Sequence, residues 1–377
     1  MRVIFEQGPI RPPSEAESLL LRFTRNCPWN KCLFCGTYSD EAFSRRTVVE
    51  IKRDVDTVSH ILDRIRERSF RMGFGGEIKR DVLADIHREG NHLFIHVASW
   101  AFRGGRTVFI QDANSLVMKT AELVEALRYL KEKLPTVERI TSYARSATLV
   151  RKSRQELEEI GGAGLNRIHV GMESGSDAVL RFMQKGVTSR DHIEAGRRVV
   201  EAGISLSEYV LLGLGGRLWS EEHPLETARV LNEINPHFIR LRTLAVPEET
   251  PLYHKLVCGE FTEQTEDEIV AGERLMIEKL EGIDSQVVSD HMLNLLEEVQ
   301  GKLPEQKEYI ISVMDRYLSM PEKDRVNFRM GKRWGQYRSL DHMNDPQRYQ
   351  RVEALVRSLE AGGKLDGTLS SLRAHMI

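Results

Sequence analysis

The chain has 377 residues, a formal net charge of −2, 29% charged and 41% hydrophobic residues, and four cysteines. That length suits one large domain or two smaller ones, and the near-neutral balance excludes a global basic footprint for nucleic acid or an anionic membrane. No apolar run approaches the roughly 18 residues that span a bilayer. Met1-Arg2-Val3-Ile4-Phe5-Glu6 lacks the apolar core of a signal peptide. A cytoplasmic protein without membrane contact is expected, in a compartment where clustered cysteines more often mean metal or catalysis than disulfides.

Residues 1–17 read as a polar lead-in with Pro9, Pro12 and Pro13. Ser18–Phe23 reads as a first buried strand, and Cys27, Cys32 and Cys35 lie on the loop that leaves it. Val48, Ile51, Val55, Val58, Leu62 and Ile65 recur near a 3.6-residue period, which predicts a helix over 47–68. Further helices are predicted over 77–87 and 92–101. Strands are predicted at 107–111, 139–143, 166–171, 207–212 and 238–242, with helical stretches at 123–135, 177–183, 191–202 and 225–234 between them. Ser153 with Glu156 forms a capping-box signature, and Thr265 with Glu268 a second. Strands alternating with helices at this spacing predict a parallel sheet with right-handed crossovers. About six such units give an α/β class, a partial (β/α)6 barrel whose chemistry gathers at the C-terminal strand ends. Those ends are Cys27, Asp112, Tyr143, Glu173, Gly213 and Arg242, although strand ends are also polar simply because loops are solvated.

Past Pro251 the pattern changes. Helices are predicted over 265–280, 290–299 and 305–318, with one more strand at 286–289. The remaining residues are charged and helical. There Arg325, Arg329, Lys332, Arg333 and Arg338 with Trp334 and Tyr337 make either a solvated helical face or a nucleic-acid surface, the former being the commoner meaning of such a mixture. The expected division is a barrel over 1–256 and a mostly helical C-terminal region over 257–377.

Three cysteines within nine positions carry the chemistry. Thiolates favour soft metals, chiefly zinc and iron–sulfur centres. Structural zinc sites are usually closed by four ligands; the fourth cysteine, Cys258, is remote in sequence and is expected to be a buried thiol, leaving His60, His87, His92 or His96 as other ligands. An iron–sulfur cluster held by three thiolates leaves one position open. Asp290 and His291 are candidates for binding substrate or moving protons, while Ser289 or Asp290 also suits a helix cap.

At these residues the sequence resembles the radical S-adenosylmethionine superfamily. The second half of its cysteine signature stands here as Cys32-Leu33-Phe34-Cys35, and the first gap, Pro28-Trp29-Asn30-Lys31, is one residue longer than usual. Gly171-Met172-Glu173-Ser174-Gly175-Ser176-Asp177 with Lys185-Gly186, and Leu211-Leu212-Gly213-Leu214-Gly215-Gly216, resemble the fourth- and fifth-strand motifs of enzymes related to the oxygen-independent coproporphyrinogen oxidases and methylthiotransferases. Pro251-Leu252-Tyr253 fits as well, so the likeness runs from about Ser18 to Leu256.

The resemblance implies that Cys27, Cys32 and Cys35 hold a [4Fe–4S] cluster whose fourth iron is chelated by S-adenosylmethionine. It implies that Phe34 packs near the adenine, Glu173 meets the amino group or ribose, and Lys185 pairs with the carboxylate. Asp112 lies where relatives carry a glycine motif and is hypothesised to accept from the ammonium. Tyr209 stands where relatives often carry a ribose-binding acid. The implied activity is reductive cleavage to a 5′-deoxyadenosyl radical that abstracts hydrogen from a small-molecule substrate, with flavodoxin or ferredoxin as electron donor. With Cys27 so near the first residue, no preceding cobalamin domain is expected. With one cysteine left over, no second cysteine-ligated cluster is expected either. The rivals are a radical enzyme acting on tRNA and a non-enzymatic, zinc-stabilised interaction protein.

Overall fold

The computed structural model describes residues 4–39 and 41–374. Met1–Val3, part of the polar lead-in, lie outside them. The described residues divide into two compact units: residues 4–30 with 41–170 and 198–206, and residues 31–39 with 171–197 and 207–374.

The first unit opens with β1 (Leu19–Arg22) and β2 (Thr24–Arg25). Then come β3 (Ser44–Arg45), α1 (Val48–Arg71), α2 (Arg80–Glu89) and α3 (His92–Phe102). It continues through β4 (Thr107–Gln111), α4 (Thr120–Lys133), β5 (Arg139–Ala144), α5 (Ser146–Leu149) and α6 (Arg154–Gly162) to the first six residues of β6 (Leu165–Glu173). Its sheet runs β1-β4-β5-β6, parallel throughout, with Leu19 opposite Val108 and Thr107 opposite Arg139. Val108, Phe109 and Ile110 are fully buried in succession, as a parallel strand covered on both faces requires. The antiparallel β2–β3 ribbon closes the base of the segment that carries the cysteines.

The elements that follow are α7 (Asp177–Phe182), α8 (Ser189–Glu201), β7 (Ser205–Leu212), α9 (Glu222–Ile234), β8 (Phe238–Thr243) and α10 (Pro251–Val257). Then come α11 (Glu266–Glu278), β9 (Gln286–Val288), β10 (Gly301–Lys302), α12 (Lys307–Leu318), α13 (Glu322–Arg333), α14 (Pro346–Ala361) and α15 (Leu365–Ala374). In the second unit β7 pairs parallel with β8 and β8 with β9, whereas β10 returns antiparallel to β9.

The α/β class, the alternation of parallel strands with helices and the helical C-terminal stretch are as the sequence predicts. The capping boxes at Ser153–Glu156 and Thr265–Glu268 both form, and a third forms at Thr47–Glu50.

Two expectations need correction. Residues 290–299 are an irregular loop, not a helix. Its backbone is tied by side chains: Ser289 Oγ donates to Leu296 O, and Asn294 Nδ2 donates to Leu241 O and Ser289 Oγ. Such bonds compete with helical ones. Cys258 is exposed, not buried. It follows the last turn of α10, whose buried side is carried by Leu252, while the neighbouring Val257 faces solvent. Among the described residues, no helix is long and apolar enough to cross a membrane.

Candidate functional site

Cys27, Cys32 and Cys35 are partly exposed, and none of them is in a disulfide. In the first unit, Asn30 N lies 3.5 Å from Cys27 Sγ, and the Arg145 guanidinium stacks on the Trp29 ring at 5.0 Å. In the second unit, Leu33 is the anchor of the Cys32–Cys35 segment. Its N donates to Met183 O and its O accepts from Leu252 N, while its side chain packs among Val179, Met183, Leu214, Leu244 and Leu252. Burial of an apolar residue between two thiols pins the loop and leaves the sulfurs at the surface. Among the described residues, no three His, Cys, Asp or Glu side chains form a ready metal cage.

Phe34, Lys185 and Glu173 come together. Lys185 Nζ lies 5.6 Å from the centre of the Phe34 ring and donates to Glu173 Oε1 at 3.0 Å. Glu173 ends β6 at φ +66°, a left-handed conformation in which a glutamate is uncommon. The turn after it is held close: a Cβ on Gly175 would stand 2.2 Å from Glu226 O, and Gly175 N donates to Thr227 Oγ1. The Ser174 hydroxyl bonds His223 Nδ1, whose other ring nitrogen faces Leu211 O. Burial lowers His223 to a pKa of about 4, so a neutral imidazole ties the Glu173 turn to the end of β7.

Asp112 belongs to a different group, in the first unit. It is fully buried at φ +68°. Its Oδ2 accepts from Arg22 Nε and from Asn26 N, next to Cys27. Arg22 also pairs with Glu6, which bonds Arg25, while Arg46 pairs with Asp54. Asp112 thus holds the backbone one residue before the first cysteine.

Asp290 and His291 stand in the loop after β9. Asp290 bridges two arginines of β8: Arg240 Nη1 to Oδ2 at 3.0 Å and Arg242 Nη1 to Oδ1 at 2.8 Å. Arg240 Nε donates to Ser207 Oγ, and the Arg242 guanidinium lies 4.9 Å from the centre of the Tyr209 ring. His291 Nδ1 accepts from Leu293 N. Burial, with the charge of Arg242, lowers His291 to about 4 despite Asp290, leaving it neutral near pH 7.

Sequence reasoning passed over Glu208 and Arg240. Glu208 is fully buried, and neither carboxylate oxygen has a hydrogen-bond partner among the described residues. Burial and the nearby charge of Glu173 push its pKa well above the usual carboxylate range, with Lys185 opposing. An acid inside the apolar run Ser205–Leu212, and two arginines alternating with Ile239 and Leu241, were the available signals. Both lie short of the strand ends, Glu208 four positions before Leu212 and Arg240 three before Thr243.

Residues 93–231 match the family model described as the Radical SAM superfamily. No curated protein matches the chain. Similar solved structures include the archaeal Methanocaldococcus infernus Elp3, at 15% identity and TM-score 0.42, covering 65% of this chain and 60% of that one. The cobalamin-dependent S-adenosylmethionine radical enzyme OxsB is 14% identical with a TM-score of 0.45, covering 96% and 59%. Coproporphyrinogen III oxidase from Escherichia coli is 17% identical with a TM-score of 0.42, covering 66% and 49%. The chain therefore spans about half to three fifths of the length of these three structures.

Proposed function

We propose that this protein is a radical S-adenosylmethionine enzyme acting on a small-molecule substrate, with reducing electrons supplied by a flavodoxin or ferredoxin in the cytoplasm. The observation that carries the reading is the convergence of Phe34, Lys185 and Glu173 beside the Cys32–Cys35 segment. The donor chemistry fits both cofactors. Three cysteines within nine positions, none in a disulfide, suit iron, and an aromatic ring, an ammonium and a carboxylate suit an adenosyl amino acid. When bound, the two cofactors supply reductive cleavage of the sulfonium and abstraction of a substrate hydrogen.

The residues then have these roles. Cys27, Cys32 and Cys35 would hold the cluster through their thiolates. Phe34 packs along the adenine. Lys185 pairs with the methionyl carboxylate, and Glu173 accepts from the ammonium or ribose. Asp112 acts on the cluster loop through Asn26, and its bonds to Arg22 and Asn26 support that positioning role over direct contact with the ammonium. Asp290 positions the two arginines of β8, and His291 offers a neutral imidazole beside them.

A tRNA substrate draws no support from α13. Every lysine and arginine of that helix is already paired: Lys323 with Glu353, Arg325 and Arg329 with Asp267, Lys332 with Glu297 and Arg333 with Glu266.

Anaerobic purification and reconstitution test the proposal. A brown protein containing iron and sulfide that forms 5′-deoxyadenosine with dithionite, an activity lost in Cys32→Ala, is the expected result. A colourless protein holding zinc alone would establish the interaction-protein reading instead.

A further inference from the structure

The β8 arginines point to a substrate class. Along Phe238–Thr243, Ile239 and Leu241 are fully buried, while Arg240 and Arg242 occupy the alternate face. Their side chains are only 5% and 13% exposed, yet one carboxylate, Asp290, serves both. His291 is neutral near pH 7. The group therefore carries one positive charge more than its partners balance. The excess has an address. Arg242 Nη1 is used twice, by Asp290 and by Leu241 O, but Nη2 is buried with no acceptor among the described residues. The face of the same guanidinium rests on Tyr209, which holds its plane. A planar guanidinium held by an aromatic ring, with one charged donor open, is the arrangement that recognises a carboxylate or phosphoryl group through paired hydrogen bonds.

We infer that Arg242, with Arg240 behind it, is the binding site for an oxyanion group of the substrate, and that Asp290 is a built-in counterion which that group partly displaces. The assignment to substrate rests on the radical-enzyme reading above; the oxyanion site itself does not.

Thermal unfolding of the full chain tests it, with propionate and methylphosphonate as probes against chloride at equal ionic strength. A saturable rise in the unfolding midpoint is expected with at least one probe, and the stronger probe tells carboxylate from phosphoryl. Arg242→Gln abolishes the rise. Arg242→Lys keeps the charge but loses the fork, and weakens binding several-fold; it carries the test if Arg242→Gln does not fold. Asp290→Asn tightens binding, an effect of opposite sign that a merely structural ion pair does not produce. The exposed Arg217→Gln leaves the rise unchanged.

No saturable rise in the wild type, or an equal rise in Arg242→Gln, overturns the site. Loss of the rise on saturation with S-adenosylhomocysteine overturns the substrate assignment, because the cofactor's own carboxylate would then own the site. Absence of 5′-deoxyadenosine from the reconstituted wild type refutes the radical reading and leaves the anion titration to be judged on its own result.

Discussion

Two groups of buried charges serve different ends, and the contrast lies in how their charges balance. Around Asp112, each guanidinium has its carboxylates: Arg22 meets Asp112 and Glu6, Arg25 meets Glu6 and Glu50, and Arg46 meets Asp54 and Glu6. Burial pulls the Glu6 pKa upward, and the three arginines more than offset it, so it lies below the usual value. In the second unit two arginines share Asp290, and the Glu208 carboxylate has no hydrogen-bond partner among the described residues. Buried polar groups are normally satisfied. The matched group holds a loop in place, and the two arginines that share one carboxylate are the ones proposed above to receive an oxyanion.

The largest expected effect comes from breaking the matched group. Asp112→Ala leaves Arg22 and Asn26 N short of an acceptor and lowers stability by about 3–5 kcal/mol, the usual cost of orphaning a buried ion pair. Denaturant titration measures it. Cluster content in the same variant separates a loop-positioning role from a purely global one, since the loop role lowers iron per folded protein.

Neutralising a mismatched acid acts in the opposite direction. The folded protein binds a proton at Glu208 at pH values where the unfolded chain does not. Its contribution to stability therefore falls as pH rises above the unfolded carboxylate range. Glu208→Gln removes that fall and stabilises by about 1–3 kcal/mol at pH 8, with less gain at pH 5. A loss of stability at pH 8 would show that the carboxylate has a partner after all.

Glu273 sharpens the same point with one cause instead of three. Burial alone pushes it up to about 8. Glu273→Gln therefore gains stability progressively between about pH 4.5, its ordinary value, and pH 8, and the gain levels off above that. Melting midpoints across that window check the sign.

The smallest effect belongs to charges that water already serves. Arg229 pairs with Glu226 and Glu233 on the exposed face of α9. Arg229→Ala costs about 0.3–0.5 kcal/mol and less at high salt.

How much of this was legible in advance differs by residue. The periodicity of α1 and the capping pairs before α6 and α11 depend on neighbours three or four positions apart, so the sequence displays them directly. Phe34, Glu173 and Lys185 were found through motif likeness, and their meeting is a tertiary event. Asp112 was legible as a strand end, but its partners Arg22 and Asn26 lie about 90 positions away. The loop at 290–299 read as a helix because its apolar spacing is helical; the bonds of Asn294 to β8 won over that pattern. Cys258 read as buried because cysteine usually is.

The sequence by itself determined the order of strands and helices, the caps and the spacing of three thiols, because these follow from local stereochemistry and from the periods of helix and strand. Only the tertiary structure decided which charges are matched. Whether Arg242 is satisfied depends on Asp290, 48 positions away, and whether Glu208 is ionised depends on its burial and on Glu173 and Lys185. Desolvation and pairing are properties of a place in space, and a place in space exists only once the chain has folded.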